Sequence, residues 1–198
     1  MTVDTIVRHG LEPRLAAAPD DADAGLALRV MPDAAHINLR GNGADALFTR
    51  AIEKALDQSL PLEPNTVSRG AHRVCWLGPD EWLVSTQREH VRALVHGLQS
   101  ALDGEHAAVN DVSGGTVLIR ARGDHVRGTL ARGCTLDLHP RVFVPDGCAQ
   151  TRLAKASVLL IAEGEQAVDI VVRRSFADYL FRWLCHAGAA FGVSAGAG

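Results

Sequence analysis

The sequence predicts an α+β fold made of two similar halves with mostly antiparallel sheets. Strand-like and helix-like segments alternate along the chain, and short turns join pairs of strands. The order strand, helix, hairpin, helix occurs twice, roughly 80 to 90 residues apart, which indicates a duplication. The 198 residues are 47% hydrophobic and 22% charged, as is typical of a folded globular chain. We therefore expect a pseudo-symmetric body in which each half is a small sheet covered by two helices.

The first half spans about residues 25–105. It begins with the strand HINLRG (36–41), in which apolar and polar residues alternate. The next segment has apolar residues at helical spacing, and a second helix follows at about residues 91–102. Between these helices, RVCWLG (73–78) and EWLVST (81–86) flank a Pro-Asp pair, which favours a hairpin. Its two tryptophans would stabilise either the core or a subunit contact, since tryptophan is enriched in both.

The second half spans about residues 106–190 and repeats this order. TVLIRARG (116–123) alternates like the first strand, and a strand pair follows in ASVLLIAEG and AVDIVVRR. The segment 175–188 has aromatic and leucine residues on one helical face. The two halves form one domain over residues 25–190, with a flexible arm at 1–24 and a flexible tail at 191–198 as predicted flanks.

Composition argues against several classes of function. The net charge is −3 and aromatic residues are 5% of the chain, which is unlike a protein that neutralises phosphates or stacks bases. No tract of 18 apolar residues predicts a membrane span. The charged N-terminus lacks the apolar core of a signal peptide, so we expect a cytoplasmic protein with reduced cysteines. Neither nucleic acid nor membrane is an expected partner.

One short motif has the form of a dinucleotide fingerprint. Residues 41–46 (GNGADA) read G-x-G-x-x-A between a predicted strand and a predicted helix. The acidic residue expected about 20 positions later would be Glu63, but it lies between prolines in a loop. We therefore favour a turn whose glycines permit the backbone path and whose Asp45 starts the helix.

Catalytic and metal-binding patterns are not found in the sequence. Ser113 has no G-x-S-x-G frame, and the nine histidines lack the i, i+4 spacing of a helical metal site. His139 is a loop residue or, less favoured, a general base. Zinc ligands could be drawn from Cys134, His139 and Cys148, but close pairs and a fourth ligand are missing. We predict no catalytic, cofactor-binding or metal-binding residue.

The segment 134–156 is the most function-like part of the chain. It is long, contains two prolines and a glycine, and has little periodicity, which often marks a functional loop. Its candidate partner-contact residues are Arg141, Gln150, Arg152 and Lys155. The alternatives are a partner-binding or anion-binding loop and a loop leading to an edge strand whose charges deter unwanted pairing.

Several long strings resemble the gamma subunit family of heterotetrameric sarcosine oxidase. They are WLGPDEWLV (76–84), RGCTLDLHPRVF with CAQTRLAKASVLL (132–160), and RRSFADYLFRWL (173–184). The resemblance implies the fold of the aminomethyltransferase folate-binding domain. It also implies a bacterial complex with alpha, beta and delta subunits that demethylates sarcosine oxidatively to glycine, producing hydrogen peroxide and a one-carbon unit for tetrahydrofolate.

The resemblance further implies that this chain holds no cofactor of its own. FAD, FMN and NAD would belong mainly to the alpha and beta subunits and zinc to delta. The expected role is a non-catalytic subunit that assembles and stabilises the complex. The alternative is a stand-alone folate-binding module of one-carbon metabolism, and a third possibility is a paralogue that works with a related dehydrogenase.

Overall fold

The computed structural model describes residue 11 and residues 24–198. Within them the chain forms strands at Leu26–Val30 (β1), Ala34–Arg40 (β2), Val67–Arg69 (β3), Arg73–Gly78 (β4), Glu81–Gln87 (β5), Ala108–Asp111 (β6), Thr116–Arg122 (β7), Cys148–Leu153 (β8), Ala156–Gly164 (β9), Ala167–Arg173 (β10) and Val193–Ala197 (β11). The α-helices are Ala46–Leu56 (α1), Val91–Ala101 (α2), Val126–Ala131 (α3) and Arg174–Gly188 (α4). Among the described residues, no helix has the length and hydropathy needed to cross a bilayer.

The strands form two sheets. The five-stranded sheet has the order β3-β4-β5-β2-β6, and the six-stranded sheet has the order β11-β1-β7-β10-β9-β8. Neighbouring strands in both sheets are antiparallel, except that β1 and β11 run parallel. The predicted α+β class with mostly antiparallel sheets is confirmed.

The duplication is visible in the element order, but each half gives its first strand to the other half's sheet. Strands β1 to β5 with α1 and α2 correspond in order to β6 to β10 with α3 and α4. Strand β1 pairs with β7, the second strand of the other half, and β6 pairs with β2 in the same way. Neither sheet is therefore complete without the other half of the chain.

The two sheets pack face to face, and the helices cover their outer faces. On β5, Trp82 and Val84 face α1 and α2, whereas Leu83 points to the other sheet. On β10, Ile170 faces the layer that contains α4, and Val171 points inward. This alternation follows from the two-residue period of a strand. The result is four layers: helices, sheet, sheet, helices.

The predicted hairpin is present as β4 and β5, and its tryptophans have different environments. Trp76 and Trp82 lie opposite each other in the ladder. Trp82 is fully buried, donates its indole N–H to the Pro61 carbonyl at 2.7 Å and packs against Phe48. Trp82 is thus a core residue, while Trp76 is half-buried at the margin of the same cluster.

The terminal segments differ from the prediction in part. Residues 191–198, predicted as a flexible tail, contain β11, which pairs with β1 over Leu26–Val30. Val193 and Ala195 are buried in the core of the six-stranded sheet, and this burial holds the segment in place. Leu11, within the predicted arm, is also buried in that core, and the rest of the arm up to residue 23 lies outside the described residues.

Candidate functional site

A cluster of ion pairs joins the inner faces of the two sheets. Asp169 on β10 is completely buried and accepts hydrogen bonds from two arginines. Arg120 on β7 contacts its two carboxylate oxygens at 2.8 and 2.9 Å, and Arg73 on β4 contacts one of them at 2.6 Å. Arg73 also reaches Glu163 on β9 at 2.7 Å. Arg73 comes from the five-stranded sheet and its partners from the six-stranded sheet, so the cluster links the halves.

The cluster keeps Asp169 ionised. Burial opposes its charge, but the hydrogen bonds and charges of Arg120 and Arg73 outweigh burial and hold the pKa of Asp169 below its ordinary value. A carboxylate paired in this way is poorly suited to proton transfer near neutral pH. Asp169 therefore acts as an electrostatic link between the sheets.

An open cleft of about 590 Å³ lies beside this cluster. Arg69, Arg73 and Arg120 line it, which would suit an anion. Within the described residues, however, these three arginines share the three acids Asp146, Glu163 and Asp169 in a network of ion pairs. The cleft therefore offers little uncompensated positive charge to a ligand.

A second cavity, an open groove of about 530 Å³, lies where the long loop crosses the seam between the sheets. Its lining comes from residues 64–67, 136–137 and 142–149. Two of the lining side chains, Val142 and Val144, are apolar and exposed, with exposed fractions of 60% and 48%, and we call them the apolar patch. Aliphatic side chains this exposed and this close together are typical of a protein contact surface.

Arg127 on α3 fixes the loop that carries the patch. Its guanidinium donates to the Leu138 carbonyl at 2.6 Å and to the Phe143 carbonyl at 3.0 Å. The Phe143 ring is buried in the core and lies 5.8 Å from the Arg127 guanidinium carbon. With Phe143 turned inward, its neighbours Val142 and Val144 are turned to the surface. The exposure of the patch is therefore built into an anchored loop.

The predicted partner-contact residues lie on two connected segments. Gln150 and Arg152 alternate with inward residues on β8, an edge strand, and Lys155 lies in the turn to β9; all three are exposed. Gln150 already donates its side-chain amide to the Leu77 carbonyl at 2.8 Å. Arg141 lies next to Val142 in the loop and contacts the His139 ring. No described residue forms an ion pair with Arg141, Arg152 or Lys155, and their partner role stays a prediction.

The glycine motif at residues 41–46 forms a turn between β2 and α1. Asp45 is the N-cap residue of α1, and its carboxylate accepts the Leu47 N–H at 2.8 Å. A Cβ atom at Gly41 would lie 2.1 Å from the Phe48 ring, so close packing requires glycine there. The strand β2 has antiparallel neighbours on both sides, unlike the parallel strand of a dinucleotide fold. These contacts support the turn interpretation.

The three residues considered as zinc ligands in the sequence lie in different surroundings in the structure. Cys148 is buried between the sheets, Cys134 contacts the Thr151 hydroxyl at 3.7 Å, and His139 contacts Arg141 in the loop. Within residue 11 and residues 24–198, no three His, Cys, Asp or Glu side chains are grouped to share a metal ion.

Sequence reasoning did not identify the ion-pair cluster or the apolar patch. Arg120 and Asp169 occupy inward positions of otherwise apolar strands, and this interruption was the available signal for the cluster. Val142 and Val144 alternate with Phe143 in a loop, a pattern too short to show which side faces solvent.

Comparison with known families decides the assignment. A sequence model described as "Sarcosine oxidase, gamma subunit family" matches residues 40–190, which include the loop, the apolar patch and β8. The chain belongs to this family. The resemblance seen in the sequence strings is thereby confirmed.

Two curated relatives of this gamma-subunit family member show how far the similarity extends. The sarcosine oxidase subunit gamma of Corynebacterium sp. (strain U-96) is 31% identical over 201 residues, covering 98% of this chain and 96% of the relative. The sarcosine oxidase subunit gamma of Arthrobacter sp. is 34% identical over 143 residues, covering 71% of this chain and 70% of the relative. The similarity to the first relative thus extends over nearly the whole chain.

Two solved structures resemble the fold of this family member. A chain of the heterotetrameric sarcosine oxidase from Corynebacterium sp. U-96, in complex with pyrrole 2-carboxylate, superposes with a TM-score of 0.85 and 29% identity, covering 96% of this chain and 97% of that chain. The glycine cleavage system aminomethyltransferase T from Bartonella henselae superposes with a TM-score of 0.65 and 15% identity, covering 87% of this chain and 48% of that chain. The second match shows a shared fold, as the sequence predicted.

Proposed function

We propose that this protein is a non-catalytic gamma subunit of a heterotetrameric sarcosine oxidase and acts in its assembly and stabilisation. Its partners would be alpha, beta and delta subunits. The exposed apolar patch on an anchored loop is the observation that carries the proposal. Family membership supports it, because the related Corynebacterium chain was solved within a heterotetrameric enzyme.

The complex would demethylate sarcosine oxidatively to glycine, with one-carbon transfer to tetrahydrofolate and formation of hydrogen peroxide. In this proposal FAD, FMN, NAD, tetrahydrofolate and zinc are held by the other subunits. The titratable groups described above fit a non-catalytic role, because Asp169 and Glu163 are committed to ion pairs with arginines.

The proposed contact surface combines the apolar patch with three cations. Burying the exposed parts of Val142 and Val144 would stabilise an interface at about 25 cal/mol per Å² of apolar surface. Arg141 lies next to Val142 in the loop, Arg152 lies on β8 and Lys155 in the turn that follows it, and none of the three forms an ion pair with another described residue. The expected partner surface is apolar at its centre and acidic around it.

The test is co-expression of a tagged full chain with the alpha, beta and delta chains, followed by size exclusion with flavin absorbance. We expect the unchanged chain to co-elute with yellow, flavin-bearing subunits. The double variant V142D/V144D places two charges in the patch and should elute alone and colourless, since unpaired charges in an apolar interface are costly.

The matched control is L47D. Leu47 is 68% exposed on α1, so the substitution adds one carboxylate to an exposed apolar site on the helix layer. L47D should co-elute with the flavin-bearing chains as the unchanged protein does. If V142D/V144D also co-elutes at full yield, the patch is not the contact surface; a solitary peak for the unchanged chain would contradict the subunit role.

The folate-binding alternative has a separate test. The arginines of the cleft are paired with acids, which leaves them poorly placed to hold the carboxylates of folate. Calorimetric titration of the full chain with tetrahydrofolate should therefore give no binding heat. Saturable heat would instead support the stand-alone folate module.

A further inference from the structure

Two cysteine thiols lie close together where the sheets are in contact, and the proposed function gives neither thiol a role. Cys75 lies on β4 of the five-stranded sheet, and Cys148 begins β8 of the six-stranded sheet. Their exposed fractions are 0% and 1%, and both belong to the apolar cluster between the sheets. The two thiols are near enough to affect each other's ionisation, and Cys148 Sγ lies 3.4 Å from the carbonyl oxygen of Trp76, the residue after Cys75. The pair connects the two halves at one point.

The backbone holds both cysteines against the same segment, residues 65–67. Cys148 donates its N–H to the Asn65 carbonyl at 2.8 Å. Cys75 lies directly opposite Val67 in the ladder of β3 and β4. Strands β4 and β8 consequently have Cα atoms within 8 Å of each other. Since a disulfide needs a short Cα separation, this shared anchoring brings the cysteines into a suitable region.

The two thiols differ in access. Cys148 is part of the lining of the open groove described above, whereas the groove lining does not include Cys75. Cys148 is therefore the member of the pair that borders the groove. The Cys148 thiol also points at the Trp76 and Thr66 carbonyls, at 3.4 and 3.5 Å, which fixes its orientation.

The two thiols also differ in acidity. The neighbouring Cys75 thiol has the largest effect on the pKa of Cys148 and lowers it. The neighbouring Cys148 thiol, followed by burial, raises the pKa of Cys75 well above its ordinary value. Because the thiolate is the nucleophilic form of cysteine, Cys148 is the member suited to attack.

We propose that hydrogen peroxide oxidises Cys148 and Cys75 to a disulfide that crosslinks the two sheets. The Cys148 sulfur attacks one peroxide oxygen and breaks the O–O bond, giving a sulfenic acid at Cys148 and one water. The Cys75 sulfur then attacks the Cys148 sulfur and displaces its hydroxyl group as a second water. Both thiol protons leave in the waters; the cysteine pair loses two electrons and the peroxide gains two.

The test treats the purified full chain with hydrogen peroxide, blocks remaining thiols with iodoacetamide under denaturing conditions and maps peptides without reduction. We expect an intact mass lower by two hydrogen atoms before the iodoacetamide step, and after it a crosslinked peptide pair that contains Cys75 and Cys148. Dithiothreitol should restore both thiols. The added peroxide is the only oxidant, so the result does not depend on the proposed subunit function.

The matched control is the double variant C134S/C185S, which removes the two partly buried cysteines and should form the same crosslink. C75A should form none, with circular dichroism as the check that it is folded. Peptide mapping of the unchanged chain tests the proposal even where a variant does not fold. Peroxide treatment that leaves Cys75 and Cys148 free for alkylation, oxidises Cys148 without a crosslink, or links either cysteine to Cys134 or Cys185 would overturn the proposal.

Discussion

Trp82 lies on strand β5 of the hairpin, and its fully buried side chain packs in the core beneath helix α1. Its indole N–H donates to the Pro61 carbonyl at 2.7 Å, and its ring packs against Phe48 with centroids 5.7 Å apart. The residue thereby satisfies a loop carbonyl and fills the core beneath the helix. Both contributions depend on the indole, because a phenylalanine ring lacks its N–H and is smaller.

Replacing Trp82 with phenylalanine should lower the free energy of unfolding by about 2 to 3 kcal/mol, because the Pro61 carbonyl loses its donor and a cavity remains. Urea unfolding followed by far-UV circular dichroism measures the change. Trp76→Phe is the matched control on the facing strand, since Trp76 is half-buried and its indole N–H donates no hydrogen bond to a described residue. An equal loss in both variants would contradict the role given to the indole N–H.

At the scale of elements, the terminal strand β11 completes the six-stranded sheet. It pairs in parallel with β1 and buries Val193 and Ala195. Arg29 on β1 also donates to the Ser194 hydroxyl at 2.9 Å. Without β11, the apolar strand β1 would become an uncovered edge.

Truncation after Gly192 should therefore lower the free energy of unfolding by about 2 to 3 kcal/mol, from the lost apolar burial. Urea unfolding of the truncated chain gives this value. Removal of Gly198 alone takes away one backbone hydrogen bond, to the Val30 carbonyl, and should cost about 1 kcal/mol or less. A truncated chain as stable as the full chain would show that β11 does not contribute to the core.

Strands β2, β4, β5, β7, β9 and β10 were predicted from their apolar patterns, whereas β1, β3, β6, β8 and β11 were not. The residues VSAGA of β11 contain one β-branched residue and four small ones, so local propensity is weak and the parallel pairing with β1 supplies the order. The exchange of β1 and β6 between the sheets was also beyond prediction. Alternation shows which side of a strand is apolar but not which strand becomes its neighbour.

At the scale of the molecule, the inner faces of the sheets combine an apolar cluster with polar and charged residues. The sequence predicted two related halves, and the structure shows how the halves are joined: through Arg73, Asp169 and the thiol pair. Each of these contacts joins residues more than 70 positions apart, so no local pattern could reveal it. The segment 134–156 could be predicted as a candidate surface from its own residues. The contact between the sheets beside it could not, because it joins residues that are distant in the sequence.

His36 lies on the inner face of β2, and its pKa depends on its burial and on the charged residues between the sheets. Its Nδ1 contacts the Thr116 hydroxyl at 2.9 Å, while its buried Nε2 has no partner among the described residues. Burial, followed by the charges of Arg73 and Arg88, lowers the pKa of His36 from 6.5 to about 4, against smaller opposing effects of Asp169 and Asp111. His36 is therefore neutral in the folded protein at neutral pH.

The depressed pKa of His36 should make the whole molecule sensitive to mild acid. Between pH 6.5 and about 4 the unfolded chain binds a proton at His36 that the folded chain does not. The contribution is complete above pH 6.5 and is lost as pH falls, at about 1.4 kcal/mol per pH unit within this window. Urea unfolding across the window measures this slope. His36→Gln should reduce it, and the exposed control His96→Gln should retain it; an unchanged slope in His36→Gln would reject the assignment.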